Sequence, residues 1–375
     1  LEPFRDSDFS RLYWEGGQGD LLYYHSRIGR MPTADGLTDF TRVGDRLHVE
    51  NWRACRESGL EPLRIAAEYA HELGMEFHAS FRVAGFHYPP PIDQWNLDAI
   101  YHRHPEWRGV DRAGRRTPRL AYSYPEVRAL VVSLLREMAQ FPIDGVCLLY
   151  NRRPPMIEYE PPLVEGFQRE YGQDPRRLDP QDPQWLHYRA RALTQFMREV
   201  RTAMDEVSRE QGRSTRLAVA AIVLSSEAEN LYYGMDLPVW VREGLVDTLI
   251  PYRLMPGLES AYDSWTDPRD LDYFVELVRD SPVVLAPNLM PRVMPPDELR
   301  RRSAGLYDVG ATHLFFWDCV PGGRASYAPT WDALRRLGHR EELTAWLQAG
   351  QPSLASASLP LRQFGDWDLS YATPG

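Results

Sequence analysis

Seven short apolar runs recur along this chain: Leu12–Glu15, Met75–Val83, Ile143–Leu149, Leu217–Leu224, Asp247–Tyr252, Val283–Leu289 and Thr312–Asp318. Ile143–Leu149 is the clearest, with hardly a polar position. A parallel strand covered on both faces needs such a run. Between the runs lie helical periodicities. Leu63, Ala66, Ala67, Ala70 and Leu73 share one face, with Pro62 at the start and Gly74 at the stop. Val127, Leu130, Val131, Leu134, Leu135 and Met138 form a second stripe behind Ser123-Tyr124-Pro125-Glu126, which has capping-box spacing. Leu193, Phe196, Met197, Val200, Met204 and Val207 form a third. No run is followed directly by a hairpin partner, so the crossovers are helical and the sheet is parallel. The fold class expected is α/β, a TIM (β/α)8-type barrel with long βα loops over the C-terminal rim. A closed ring needs eight strands, and the eighth is expected upstream of Leu1 or hidden in Leu37–Val49. Residues 1–350 form the barrel domain in this reading. Residues 351–375, Ser/Pro-rich and then aromatic, read as a linker opening a C-terminal extension.

Composition removes several chemistries. All 43 basic residues are arginine and none is lysine. Schiff-base catalysis, PLP anchoring and a P-loop lysine are therefore unavailable. No GxGxxG occurs, so a nucleotide cofactor would lack its usual fingerprint, and no cofactor is expected. A net charge of −10, with no basic run longer than Arg300-Arg301-Arg302, argues against nucleic acid as partner. No stretch reaches the roughly 20 apolar residues of a membrane span. Cys55, Cys147 and Cys319 are odd in number and form no CxxC, so buried thiols are expected and not a disulfide framework. The chain starts at Leu1 without a signal-like segment, which reads as a processed or trimmed form. A secreted or periplasmic location fits a removed leader, and a cytoplasmic one fits the cysteine count. The sequence is silent on oligomeric state.

Barrels place their chemistry at the carboxyl ends of the strands. Those ends carry Glu15, Arg82, Tyr150, Asn151, Arg152, Tyr252, Arg253, Asn288, Trp317 and Asp318, with Glu158 and Glu160 just beyond the third strand and Glu227 beyond the fourth. The set is rich in carboxylates, arginines and aromatics and has no dominant His/Cys cluster. Glycoside hydrolysis asks for this chemistry: one carboxyl protonates the leaving oxygen and another acts as nucleophile or base. Trp107, Tyr122, Tyr159 and Trp317 are among the rings that suit stacking on sugars. A hairpin around Asp111-Arg112-Ala113-Gly114, spanning Trp107–Tyr122, is expected to fold over the mouth.

The chain resembles the bacterial family-10-like glycosyl hydrolases. The resemblance rests on His104-Pro105-Glu106-Trp107, Tyr124-Pro125-Glu126-Val127-Arg128, Asp144-Gly145-Val146, Tyr159-Glu160-Pro161 ahead of Phe167, and Tyr171-Gly172-Gln173-Asp174-Pro175. It covers roughly Leu63 to Asp318 and implies a TIM barrel with glycosidase activity. There is one departure. Relatives often end the Asp-Gly-hydrophobic strand with one or two acids, where this chain has Leu149, Tyr150 and Asn151.

The leading assignment gives Glu160 and Asp318 the acid and base or nucleophile roles, with Glu158 and Glu227 in reserve. Glu15, Arg82, Trp107, Tyr150, Asn151, Arg152, Tyr252, Arg253, Asn288 and Trp317 are assigned to substrate binding. First-turn helix acid is the competing explanation for Glu160 and for Glu227. Two rivals stand beside the glycosidase: a carbohydrate-binding barrel without chemistry, and a metal-dependent hydrolase. His102 and His104 form an HxH, but they sit in an insertion and not on a strand, so no metal is expected. His78 and His313 are expected in the core.

Overall fold

The computed structural model describes residues 1–85, 93, 99–152, 154–252, 265–291, 294–317 and 328–349. Arg253, Asp318, Cys319 and the tail 351–375 lie outside the described residues. The strands are β1 (Arg11–Gln18), β2 (Leu21–Leu22), β3 (Glu76–Arg82), β4 (Arg108–Val110), β5 (Arg116–Leu120), β6 (Gly145–Leu149), β7 (Ala218–Val223), β8 (Thr248–Pro251), β9 (Val284–Leu285), β10 (Asn288–Leu289) and β11 (Phe315–Phe316). β1, β3, β6, β7, β8 and β9 hydrogen-bond in that order, each pair parallel. The run carrying β9 is interrupted at Ala286-Pro287, where proline withdraws a ladder donor. It resumes as β10, which pairs in parallel with β11. The product is a curled parallel sheet with seven strand positions, wrapped by helices.

All seven apolar runs carry parallel strands. The helical stripes form Pro62–Glu72, Pro125–Met138 and the long Pro183–Glu210. Asp182 caps the last of these by accepting from the Gln184 and Trp185 amides. Three local expectations fail. Leu37–Val49 hides no strand, because the helix Val43–Ser58 begins inside it. β1 does have a direct antiparallel partner, β2, reached through Gly19-Asp20 with Gly19 at φ 56°. Ser123 caps nothing: the helix starts after Tyr124 without a side-chain cap, and the Ser123 hydroxyl is buried without a partner among the described residues. Pro125 at the first helical position fixes that start in its place.

Strand residues alternate between two cores. Outward-facing Phe77, Ala79, Phe81, Val146, Leu148, Val219, Ala221 and Leu249 join the large cluster under the helices. Inward-facing Cys147, Leu149, Ala220, Ile222, Ile250, Tyr252, Ala286 and Phe315 form a separate interior cluster, flanked by Tyr13 and Trp317. His78 is fully buried on the inner side, where desolvation lowers its pKa, while His313, expected in the core, is exposed. Gly145 makes room for the His78 ring, since a Cβ there would lie 2.8 Å from His78 Cε1 and 2.6 Å from the Ala218 carbonyl oxygen. Between β11 and β1 no ladder bond occurs among the described residues. The two edges meet through rings, Tyr13 with Phe315 at 5.3 Å on the inner face and Phe9 with Phe316 at 6.0 Å on the outer.

The crowding at Gly145 is against backbone and cannot be relieved by a rotamer change. Gly145→Ala is therefore expected to destabilise the fold by about 1–3 kcal/mol, read as a lower midpoint in chemical denaturation with an unchanged slope.

Candidate active site

The inward register brings a polar layer to the carboxyl ends of the strands. Trp317, just past β11, donates its main-chain N–H to Asn288 Oδ1 at 3.2 Å. Asn288 in turn offers its carbonyl to Trp265 Nε1 at 2.8 Å. The Arg152 guanidinium lies over the Trp317 ring, 5.0 Å from its centroid, and Tyr252 meets that ring edge-on at 5.4 Å. Asn151 precedes Arg152, two residues beyond inward-facing Leu149. Four residues from four different strand ends, Arg152, Tyr252, Asn288 and Trp317, thus form one cluster, with Asn151 next to Arg152 in the chain, and all five are among those singled out from the sequence.

Two of these five residues are incompletely satisfied. Both ends of the Asn151 amide and the Nδ2 of Asn288 are buried with no hydrogen-bond partner among the described residues. A buried polar group left unpaired costs about 1–3 kcal/mol, so native folds rarely leave such groups without purpose. Glu15, expected at a strand end, lies inside β1, which runs on to Gln18. Arg82, at the end of β3, donates through Nη2 to Glu15 Oε2 at 2.7 Å, while Glu15 Oε1 is buried and without a hydrogen bond among the described residues. Glu15 and Trp317 also line a common cavity of about 620 Å³ that continues past Leu149, Ile222 and Ala286 to the amino ends of the strands at Arg11, Glu76, Thr248 and Thr312, and which Asn151, Arg152, Tyr252 and Asn288 do not line.

Glu160 stands apart. It is the N-cap residue of the helix Pro161–Tyr171, but its carboxyl turns away from that helix. It accepts from the Glu158 amide at 3.0 Å and from the Val110 amide of the β4–β5 hairpin at 3.3 Å. The hairpin forms where the sequence indicated, and Tyr159 N donating to the Val110 carbonyl at 2.8 Å completes its docking. The Glu160 carboxyl is fully buried, and desolvation pushes its pKa up to about 7 against those main-chain donors. Glu158 is half-buried, and its pKa is also raised by desolvation, opposed by the charge of Arg119.

The remaining candidates scatter. Tyr150 faces the outer core, its ring 5.4 Å from Trp240 and its hydroxyl 3.0 Å from Met197 Sδ. Tyr122 and Tyr159 are likewise packed in that core. Trp107 is stacked on His104 at 3.7 Å. Glu227 is an exposed first-turn acid of the helix Glu227–Tyr232, which Ser226 caps. Among the described residues no three His, Cys, Asp or Glu side chains are placed to hold a metal ion, and no helix is long and apolar enough to cross a membrane. One group escaped the sequence reading: Tyr23 stacked on Trp52 at 5.4 Å, with His48 edge-on to both. The signal was present in the helix Val43–Ser58, where His48 and Trp52 are four apart and so share a face.

A family model described as Glycosyl hydrolase-like 10 matches residues 32–267, more than half of the chain. The chain belongs to this family. Among solved structures, β-galactosidase from the psychrophilic Marinomonas ef1 aligns at 13% identity and a TM-score of 0.51, covering 77% of this chain and 53% of that one. The present chain thus spans about half the length of that enzyme. The catalytic domain of β-amylase from Paenibacillus polymyxa aligns at 10% identity and 0.48, covering 72% and 83%. The glycoside hydrolase domain of PelA from Pseudomonas aeruginosa aligns at 15% and 0.40, covering 67% and 81%. No curated protein sequence matches. At these identities the β-galactosidase likeness is one of fold, and it places this Glycosyl hydrolase-like 10 member among barrel-type α/β sheets.

The Glu160 carboxyl binds its proton more tightly in the folded chain than a free glutamate with pKa 4.5 does. Its contribution to stability is therefore full below pH 4.5 and is lost as pH rises through about 7, for a total on the order of 3 kcal/mol. Unfolding free energies of wild type and Glu160→Gln, measured from pH 4 to 8, are expected to differ by this pH-dependent amount, with the variant showing the flatter profile.

Proposed function

We propose that the chain is a carbohydrate-active barrel that holds a sugar ring against Trp317 and hydrolyses a glycosidic bond at the same mouth. The observation that carries this reading is a pair of buried amides at the strand ends, Asn151 with both atoms unpaired among the described residues and Asn288 with Nδ2 unpaired while its Oδ1 holds the main chain of the half-buried Trp317. A sugar hydroxyl both donates and accepts, and an asparagine amide answers both needs. The sugar's C–H face suits the indole, whose other contacts, Arg152 and Tyr252, fix its tilt.

The hydrolysis assigned here needs two carboxyls. One protonates the glycosidic oxygen as its bond to the anomeric carbon breaks. The other takes a proton from the water that adds to that carbon, or first adds to it directly. Glu15, ion-paired with Arg82, is the carboxylate of this reading. Asp318, which follows Trp317 in the chain, is its partner. Glu160 then positions the hairpin instead of touching substrate, because its oxygens are already taken by main-chain donors.

A second reading, a carbohydrate-binding barrel without turnover, is favoured by one observation: Glu15 is tied to an arginine and Glu160 is sealed from the mouth. A glycan panel with purified wild type, Trp317→Ala, Asn151→Ala, Glu15→Gln and Asp318→Asn separates the two. The expected outcome is binding weakened roughly tenfold or more by Trp317→Ala and Asn151→Ala, with hydrolysis lost and binding kept in Glu15→Gln and Asp318→Asn. Binding without turnover by the wild type selects the second reading. A glycan held equally well by wild type and Trp317→Ala overturns both.

A further inference from the structure

We propose that the substrate is an oligosaccharide bound across Glu15, with one sugar unit on Trp317 and at least one more on the Tyr23–Trp52 pair. The proposal rests on the reading above and specifies its substrate class. Two aromatic groups are linked to Glu15 by separate routes. By one, it shares the cavity wall with Trp317. By the other, its partner Arg82 sits in register with Gln18 at the end of β1. Gln18 Nε2 donates to the Tyr23 hydroxyl at 2.7 Å, and Tyr23 stacks on Trp52 with an interplanar angle of 21°. His48, one turn before Trp52, stands edge-on to both rings at 6.1 and 6.4 Å.

Core packing does not account for this pair. The core aromatics Tyr122, Tyr150, Trp185 and Trp240 are fully buried, whereas Tyr23 and Trp52 are half-buried and belong to neither apolar cluster. The Gln18 bond fixes the tyrosine ring in advance, so a ligand stacking there loses little further side-chain freedom. A half-exposed, pre-set aromatic surface at a strand end suits the apolar face of a sugar. With a carboxylate linked to both surfaces, a ligand that reaches both presents it with a bond joining two sugar units. That geometry favours a chain of sugars over a single sugar on a small leaving group.

The test is calorimetric binding of cello-, chito- and galacto-oligosaccharides of one to six units to wild type, Trp52→Ala, Trp52→Phe and Trp317→Ala, with melting temperatures as fold control. For the wild type, affinity is expected to rise with length. Trp52→Ala should lose roughly tenfold on the longest members and nothing on the monosaccharide, and Trp52→Phe should restore most of the loss. Trp317→Ala should weaken every length. If Trp52→Ala matches wild type at all lengths while Trp317→Ala is impaired, this proposal falls and the functional reading stands. A uniform loss across lengths in Trp52→Ala, not rescued by Trp52→Phe, also overturns it. If the wild type binds none of the three series at any length, both fall.

Discussion

Both faces of the parallel sheet must be covered, and the mouth of the barrel follows from how unequally this chain covers them. Outward positions take large side chains, Phe77, Phe81, Leu148 and Tyr150 among them, which fill the layer beneath the helices. Inward positions are often small: Ser80, Gly145, Cys147, Ala220 and Ala286. A barrel centre is ordinarily packed by layers of bulky branched residues. Here the small inner set leaves a hollow that reaches up to Glu15 and Trp317. The same alternation that builds the outer core therefore opens this hollow.

Two buried polar groups show how the fold separates structure from chemistry. Glu160 and Asn151 are both sequestered from solvent. The Glu160 carboxyl receives main-chain donors from two segments, and with them it ties the β4–β5 hairpin to the loop after β6. Its bonding capacity is used by the fold. The Asn151 amide receives nothing from the described residues. Its capacity is unspent, and it directly precedes Arg152, whose guanidinium covers the Trp317 ring. Burial alone marks both residues; only the accounting of their hydrogen bonds tells them apart.

The strands were legible because two-sided burial writes itself as apolar runs, and the three helical stripes because a packed face repeats at helical spacing. Their carboxyl ends gave Asn151, Arg152, Tyr252, Asn288 and Trp317 together, since a shared rim is a property of the fold class. Tyr150 was misplaced by parity: one residue earlier than Asn151, it belongs to the opposite face. Glu160 read as a rim acid because its sequence neighbours are aromatic and proline. That its oxygens meet the Val110 amide, 50 positions away, is a tertiary fact with no local trace. The short β2 was hidden for a simpler reason, being two residues long and lacking any period to detect.

The meeting of β1 and β11 has a mechanical consequence. Everywhere else around the sheet, parting two neighbouring parallel strands means breaking main-chain hydrogen bonds in a ladder. Here only ring contacts join the two edges among the described residues, and aromatic pairs contribute about 0.5–1.5 kcal/mol each beyond their area. The wall between Glu15 and Trp317 is thus the softest arc of the ring. A bulky guest in the hollow would find its slack there, and the distance between carboxylate and indole would widen first.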